Sequence, residues 1–148
     1  RPSYKTLREY GSAADYFSNK LKKNPNMAAY NHNLGALYSA VGDTVHADSF
    51  YKNAIANAPD NVMTRNDYAL HLSKMGHTTE AVDEFRKSML VTTEQPTLRK
   101  NLGATHARSG QYVQALEHTR RSIDLNGNDP MAHRNMAKIR DAVGKSNE

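Results

Sequence analysis

Seven histidines are the side chains of this chain most able to do chemistry, since imidazole binds metals and transfers protons near neutral pH. Their spacing favours neither role: no two stand four apart, and His106 and His118 fall in different predicted helices. The chain has no cysteine, and it shows no phosphate-binding loop, nucleophile elbow or dinucleotide fingerprint. We therefore predict no catalytic residue, no metal site and no cofactor.

Three side-chain amides and one carboxylate form a second pattern, at intervals of 34 residues, which we call the amide row. Its members are Asn33, Asp67, Asn101 and Asn135. An amide both donates and accepts, so a row of amides can pair with the N–H and C=O groups of an extended peptide. One interval of the row would span about three residues of such a peptide, at about 3.3 Å each. The alternative is that these side chains cap or bridge neighbouring helices of the protein itself.

The same interval of 34 residues runs through the whole chain without a gap, from Gly42 to Gly76, Gly110 and Gly144. On both sides of Gly42 the apolar residues recur three and four apart, which is typical of amphipathic helices. Glycine suits the left-handed turn that ends a helix. Each repeat is therefore predicted to be helix A, a tight turn and helix B, and the chain to be an all-α, right-handed α-solenoid.

Helices are predicted over 27–41, 44–58, 61–75, 78–91, 95–109, 112–125 and 129–143. Before them, residues 1–10 form either a short helix or an ordered arm, and Ser12 to Lys23 form a helix B without a full partner. Small Gly35 and Ala47 are expected to face large Tyr38 and Tyr51, which brings two helices to about 8–10 Å. The predicted helix caps are Asp43, Thr44, Asp60 and Asp129.

A single solenoid is divided by this period into three full repeats and two flanking parts. The boundaries are 1–27 for a partial N-terminal repeat, 28–61, 62–95 and 96–129 for the full repeats, and 130–148 for a C-terminal capping helix and tail. The last helix is polar enough to serve as a terminal cap of the stack. The alternative is that a longer array of repeats was cut at this point.

The pattern resembles the tetratricopeptide repeat family, which is recognised by its period and by a fixed order of small and aromatic residues. The first repeat matches at Leu34, Gly35, Tyr38, Ala47, Tyr51, Ala54 and Pro59. The second has Ser88 and Thr93 in place of an alanine and the proline, and the third has His106, Thr119 and Gly127 at other family positions. We predict that His106 is a packing residue. The aromatic expected early in helix A is replaced by Asn31, Arg65, Arg99 and His133.

The resemblance implies that helices A line a concave groove, with the amide row facing inward as in the asparagine ladder of O-linked N-acetylglucosamine transferase. The preceding row would be His32, Asn66, Lys100 and Arg134. Met63, Leu70 and Met131 would add apolar contacts, although plain packing is the alternative for the methionines. Lys74, Lys100, Arg108, Arg134 and Lys138 would make the C-terminal half of the groove positive and suited to an acidic segment or a free carboxylate.

The family's two-carboxylate clamp for chaperone tails is absent, because its five positions hold His32, Ala36, Asp67, Thr97 and Asn101. Asp67 would repel a carboxylate. The net charge of +5 is concentrated at the two ends rather than in one stripe, which makes nucleic acid an unlikely partner. The basic cluster Lys20, Lys22 and Lys23 suits a helix C-terminus better than a phosphate site.

The main functional prediction is a protein–protein interaction module that binds an extended peptide in its groove. The alternatives are a structural subunit of a large assembly and the targeting region of a longer enzyme, and self-association through the exposed ends is compatible with each. No window is apolar enough for a membrane span, and no apolar leader is visible. An intracellular, soluble location is favoured, with the cytoplasm, an organelle and a large assembly all open. The first residue is not Met, which suggests a fragment or a processed chain.

Overall fold

A computed structural model describes residues 4–92 and 95–146. These residues form eight helices and no strand: α1 Tyr4–Lys23, α2 Ala28–Val41, α3 Thr44–Asn57, α4 Val62–Lys74, α5 Thr78–Val91, α6 Pro96–Arg108, α7 Tyr112–Leu125 and α8 Pro130–Ser146. The seven predicted helices from α2 onward are confirmed, with starts that differ by at most one residue. Thr93 and the two ends of the chain lie outside the described residues.

The glycine turns end helices A as expected at three of the four positions. Gly42, Gly76 and Gly110 have positive φ angles of 86°, 82° and 78°. At Gly42 the next amide, on Asp43, donates back to the Tyr38 carbonyl at 2.9 Å, which closes the helix end. Gly144 is different: it lies inside α8, which continues to Ser146.

Two predictions about local structure are wrong. Within the described residues, 4–10 are not a separate element, because α1 runs unbroken from Tyr4 to Lys23 through Gly11. Asp60 does not cap α4; the neighbouring Asn61 does, and its Oδ1 accepts from the amides of Met63 and Thr64. The caps at Asp43 and Asp129 are confirmed, since each accepts a backbone N–H two or three residues further on.

Contacts divide the chain into two compact units, residues 1–68 and 69–148, with the boundary inside α4. In unit 1, α2 packs against both α1 and α3. The ring of Tyr51 lies against Gly35, where an added Cβ would come within 2.9 Å of it. The predicted pairing of a small residue with a large one is therefore confirmed at this contact.

In unit 2, α6 packs against α5, α7 and α8. Its apolar core is a cluster of buried side chains around Phe85, which has no exposed surface. The other members are Ala69, Val82, Leu98 and Leu102. α6 and α7 approach each other closely at Gly103, where an added Cβ would collide with the Thr119 hydroxyl.

Candidate functional site

The predicted binding residues lie on helices A. In unit 1 these helices are α2 and the first part of α4; in unit 2 they are the last part of α4, α6 and α8, whose surface we call the helix-A face of unit 2. In unit 1 Asn33 is exposed and Met63 is 66% exposed. The side chain of Asp67 is not free, because its Oδ2 lies 2.7 Å from His32 Nε2. Asn66 is half-buried, and its side-chain oxygen has no hydrogen-bond partner among the described residues.

His32 also contacts a hydroxyl, which produces a row of Thr64, His32 and Asp67. Thr64 Oγ1 lies 2.9 Å from His32 Nδ1, on the opposite side of the ring from Asp67. A hydroxyl, an imidazole and a carboxylate in this order are the groups of a hydrolytic triad. However, Thr64 is only 2% exposed, so its oxygen cannot reach a substrate. The arrangement instead braces α2 against α4.

In unit 2 the predicted residues fall into paired and free groups. Lys100 Nζ lies 2.7 Å from Asp129 Oδ2, and the two side chains are only 15% and 19% exposed. The hydrogen bond from Lys100 lowers the pKa of Asp129, which keeps the carboxylate charged. Lys100 therefore ties α6 to the start of α8. The sequence led us to expect that its charge would be available to a ligand, but the charge is already paired.

The other predicted residues of unit 2 remain accessible to different degrees. Arg108 Nη1 donates to the Ser73 hydroxyl at 2.6 Å, a neutral partner that leaves the guanidinium charge uncompensated. Lys74, Arg134 and Lys138 are exposed, and Leu70 is half-buried. Asn101 and Asn135 are half-buried on the adjoining helices α6 and α8, and their side-chain amides bond to none of the described residues.

Sequence reasoning missed the role of the polar residues that replace the early aromatic of helix A. In three repeats this residue donates a hydrogen bond to the backbone carbonyl six positions earlier: Asn31 to Pro25 at 3.1 Å, Arg65 to Pro59 at 2.9 Å and His133 to Gly127 at 2.7 Å. The bond holds the start of helix A onto the preceding turn. The sequence contained a signal for this role, because three different hydrogen-bond donors occupy the same position of the repeat.

A profile of the tetratricopeptide repeat family matches residues 3–148, so the chain belongs to that family. The match confirms the all-α solenoid class predicted from the period. Comparison with curated protein sequences gives no match.

Solved structures with a similar fold include three proteins that are 21%, 22% and 24% identical to this chain. PilW, described as a widely conserved type IV pilus biogenesis factor, has a TM-score of 0.86 at 21% identity, covering 93% of this chain and 64% of its own. PilF of Pseudomonas aeruginosa has a TM-score of 0.81 at 22% identity, covering 92% of this chain and 62% of its own. YrrB, described as a TPR protein with an unusual peptide-binding site, has a TM-score of 0.72 at 24% identity, covering 85% of this chain and 65% of its own. At these identities the likeness shows the fold, and the chain spans less than two thirds of each protein's length.

The family supports the coarse functional class, a protein–protein interaction module. Within the described residues there is no group of three or more His, Cys, Asp or Glu side chains placed to hold a metal ion. No helix in that part of the chain is both long and apolar enough to cross a membrane.

Proposed function

We propose that the helix-A face of unit 2 binds an extended segment of a partner protein through the amides of Asn101 and Asn135. The observation that carries this proposal is the state of the two side chains. Both are half-buried, and neither forms a hydrogen bond with the described residues. Amides that braced the stack would show such bonds, whereas the polar atoms of these two side chains are accessible to a ligand. A peptide backbone supplies the missing donors and acceptors.

The spacing of the two amides suits a peptide backbone. They occupy equivalent positions of successive repeats, 34 residues apart, on helices that contact each other. Packed helices lie about 8–10 Å apart, and an extended chain covers that distance in about three residues. One peptide would therefore meet the two amides at every third residue.

The charge of this face favours an acidic segment. Arg134 and Lys138 are exposed on α8, and Arg108 bonds only the Ser73 hydroxyl among the described residues. Lys100, which we first counted with them, is already paired with Asp129. Complementary charge mainly raises the rate of association and excludes wrong partners, so we expect selected peptides to contain Asp or Glu.

Changing Asn101→Ala together with Asn135→Ala tests the proposal. A displayed library of ten-residue peptides is first selected on the wild-type chain, and one enriched peptide is then titrated against each variant. Two hydrogen bonds worth about 0.5–1.5 kcal/mol each predict a loss of affinity of roughly 5- to 150-fold. The melting temperature, followed by circular dichroism, should stay within about 2 °C because no bond within the protein is lost.

The matched control changes Asn19→Ala and Asn26→Ala, two exposed asparagines outside the helix-A face. It should bind the selected peptide like the wild type. Equal affinity of the Asn101/Asn135 variant would contradict the proposal, and a large drop in its melting temperature would show that the amides brace the fold instead.

A further inference from the structure

Positive charge on the helix-A face of unit 2 is not balanced by carboxylates of the same helices. The acidic side chains described on these helices and their caps are already paired, Asp129 with Lys100 at 2.7 Å and Asp141 with Lys145 at 3.1 Å. Four basic side chains of the face form no ion pair with the described residues: Lys74, Arg108, Arg134 and Lys138. The uncompensated charge is therefore positive, and a carboxylate of the partner is the group that neutralises it.

Of these four side chains, Arg108 alone is held by a hydrogen bond within the described residues. Its Nη1 donates to the Ser73 hydroxyl at 2.6 Å, and Ser73 is only 3% exposed. A guanidinium carries several N–H donors in one plane, so a single bond to a neutral hydroxyl leaves the other donors and the whole charge for a ligand. Because its side chain is already ordered, Arg108 loses less conformational freedom on binding a carboxylate.

Arg108 and Met131 lie on opposite sides of the line that joins the two amides. Arg108 follows Asn101 by seven residues on α6, which places it on the same side of the helix, about 10.5 Å further along the axis. Met131 precedes Asn135 by four residues on α8, about 6 Å back along the axis, and is 50% exposed. Short connections through α7 make α6 and α8 run in the same direction.

The geometry of an extended peptide connects these two side chains. A peptide that turns its N–H and C=O groups toward the amides points its side chains along the helix axes, alternately to one side and the other. It covers the about 8–10 Å between neighbouring helices in about three residues. Three is an odd number, so the side chains at Asn101 and at Asn135 point to opposite sides. A residue directed at Arg108 is thus matched, three positions away, by a residue directed at Met131.

We infer that the bound segment carries a glutamate whose carboxylate pairs with Arg108 and, three residues away, an apolar side chain that packs on Met131. This inference rests on the proposed function, because the amides of Asn101 and Asn135 set the position of the peptide. Glutamate suits the site better than aspartate, since the gap along α6 is about two helical turns and the longer side chain spans more of it.

The alternative is a peptide whose side chains point the other way. The residue at Asn101 would then face Thr97, and the residue at Asn135 would face Lys138. Lys138 forms no hydrogen bond with the described residues, so ordering its long side chain costs more conformational entropy than using Arg108. Thr97 also offers less apolar surface than Met131. Both comparisons favour the arrangement with Arg108.

The test selects the displayed ten-residue library in parallel on the wild-type chain and on the variants Arg108→Glu, Met131→Lys and Lys138→Glu. On the wild type, a glutamate and an apolar residue three positions apart should be enriched several-fold over the unselected library. Arg108→Glu should replace the glutamate by Lys or Arg and keep the apolar residue. Met131→Lys should replace the apolar residue by Asp or Glu and keep the glutamate.

Titration of one selected peptide measures the contact itself. Changing its glutamate to glutamine should weaken binding to the wild type about 2- to 5-fold, the range of an exposed ion pair, and should have no effect on Arg108→Gln. Ser73→Ala should reduce this ratio while leaving the affinity for the glutamine peptide unchanged. A purely structural role of Ser73 would instead weaken both peptides equally. The change in the peptide needs no variant of the protein, so the test stands even if a variant fails to fold.

Arg140→Glu is the matched control. Arg140 is exposed on α8, two residues after Lys138 and therefore on a different side of the helix. This variant should select the same peptides as the wild type. Peptides that need Asn101 and Asn135 but do not change with Arg108→Glu would overturn this inference and leave the proposed function intact, as would a switch seen with Lys138→Glu instead. Failure of the wild type to select any peptide would refute both.

Discussion

Replacing Phe85 by alanine is expected to lower the free energy of unfolding by about 3–5 kcal/mol. The ring of Phe85 is fully buried in the core of unit 2, among Val82, Leu98 and Leu102. Its removal loses the transfer free energy of the aromatic ring and leaves a cavity that helices on several sides cannot close. Chemical denaturation followed by circular dichroism measures the change.

Leu90→Ala is the matched control, because Leu90 lies on the same helix and is 88% exposed. Its effect should stay within about 0.5 kcal/mol, as is usual for surface changes. Similar losses for the two variants would mean that α5 does not bury Phe85 in a packed core.

The second large effect is expected at Gly103, where alanine should destabilise the protein by about 1–3 kcal/mol through overpacking. A Cβ there would collide with Thr119 Oγ1, and it would also lie 3.1 Å from the Thr119 backbone nitrogen and 3.2 Å from the Ala115 carbonyl oxygen. The hydroxyl can rotate away, but the two backbone atoms move only if α6 and α7 separate. The same denaturation experiment gives the result.

Gly11→Ala provides the opposite expectation at another helical glycine. Gly11 lies inside α1, and a Cβ would meet nothing within 4 Å. Alanine should therefore raise the free energy of unfolding by roughly 0.5–1 kcal/mol through helix propensity alone. If both substitutions changed stability in the same direction, the contact of α6 with α7 at Gly103 would be looser than described.

The regular features of the fold could be predicted because each depends on neighbours along the chain. Helix periodicity, the positive-φ glycines at Gly42, Gly76 and Gly110, and the caps at Asp43 and Asp129 are local properties of backbone and side chain. The same local reasoning failed at α1. The predicted break between residue 10 and Ser12 is absent, because Gly11 lies inside α1 and does not end a helix.

The candidate binding residues could be placed on a helix but their partners could not be foreseen. Lys100 belonged to the predicted basic lining, and it pairs with Asp129, 29 residues away. Asp67 belonged to the amide row, and it pairs with His32, 35 residues away. A repeat register says which side chains share a face, whereas these pairs depend on distances between helices.

By itself, the sequence determined the repeat length, the helix pairs, the small-to-large packing at Gly35 and the membership of an interaction family. These four features follow from the periodicity and the side-chain sizes of the repeats, which can be read directly from the sequence. Only the tertiary structure decided which polar side chains are paired: Lys100 and Asp67 form ion pairs, while the amides of Asn101 and Asn135 form no hydrogen bond with the described part of the chain. The physical reason is that a hydrogen bond or ion pair is a short-range contact, and its existence depends on packing distances of a few ångströms.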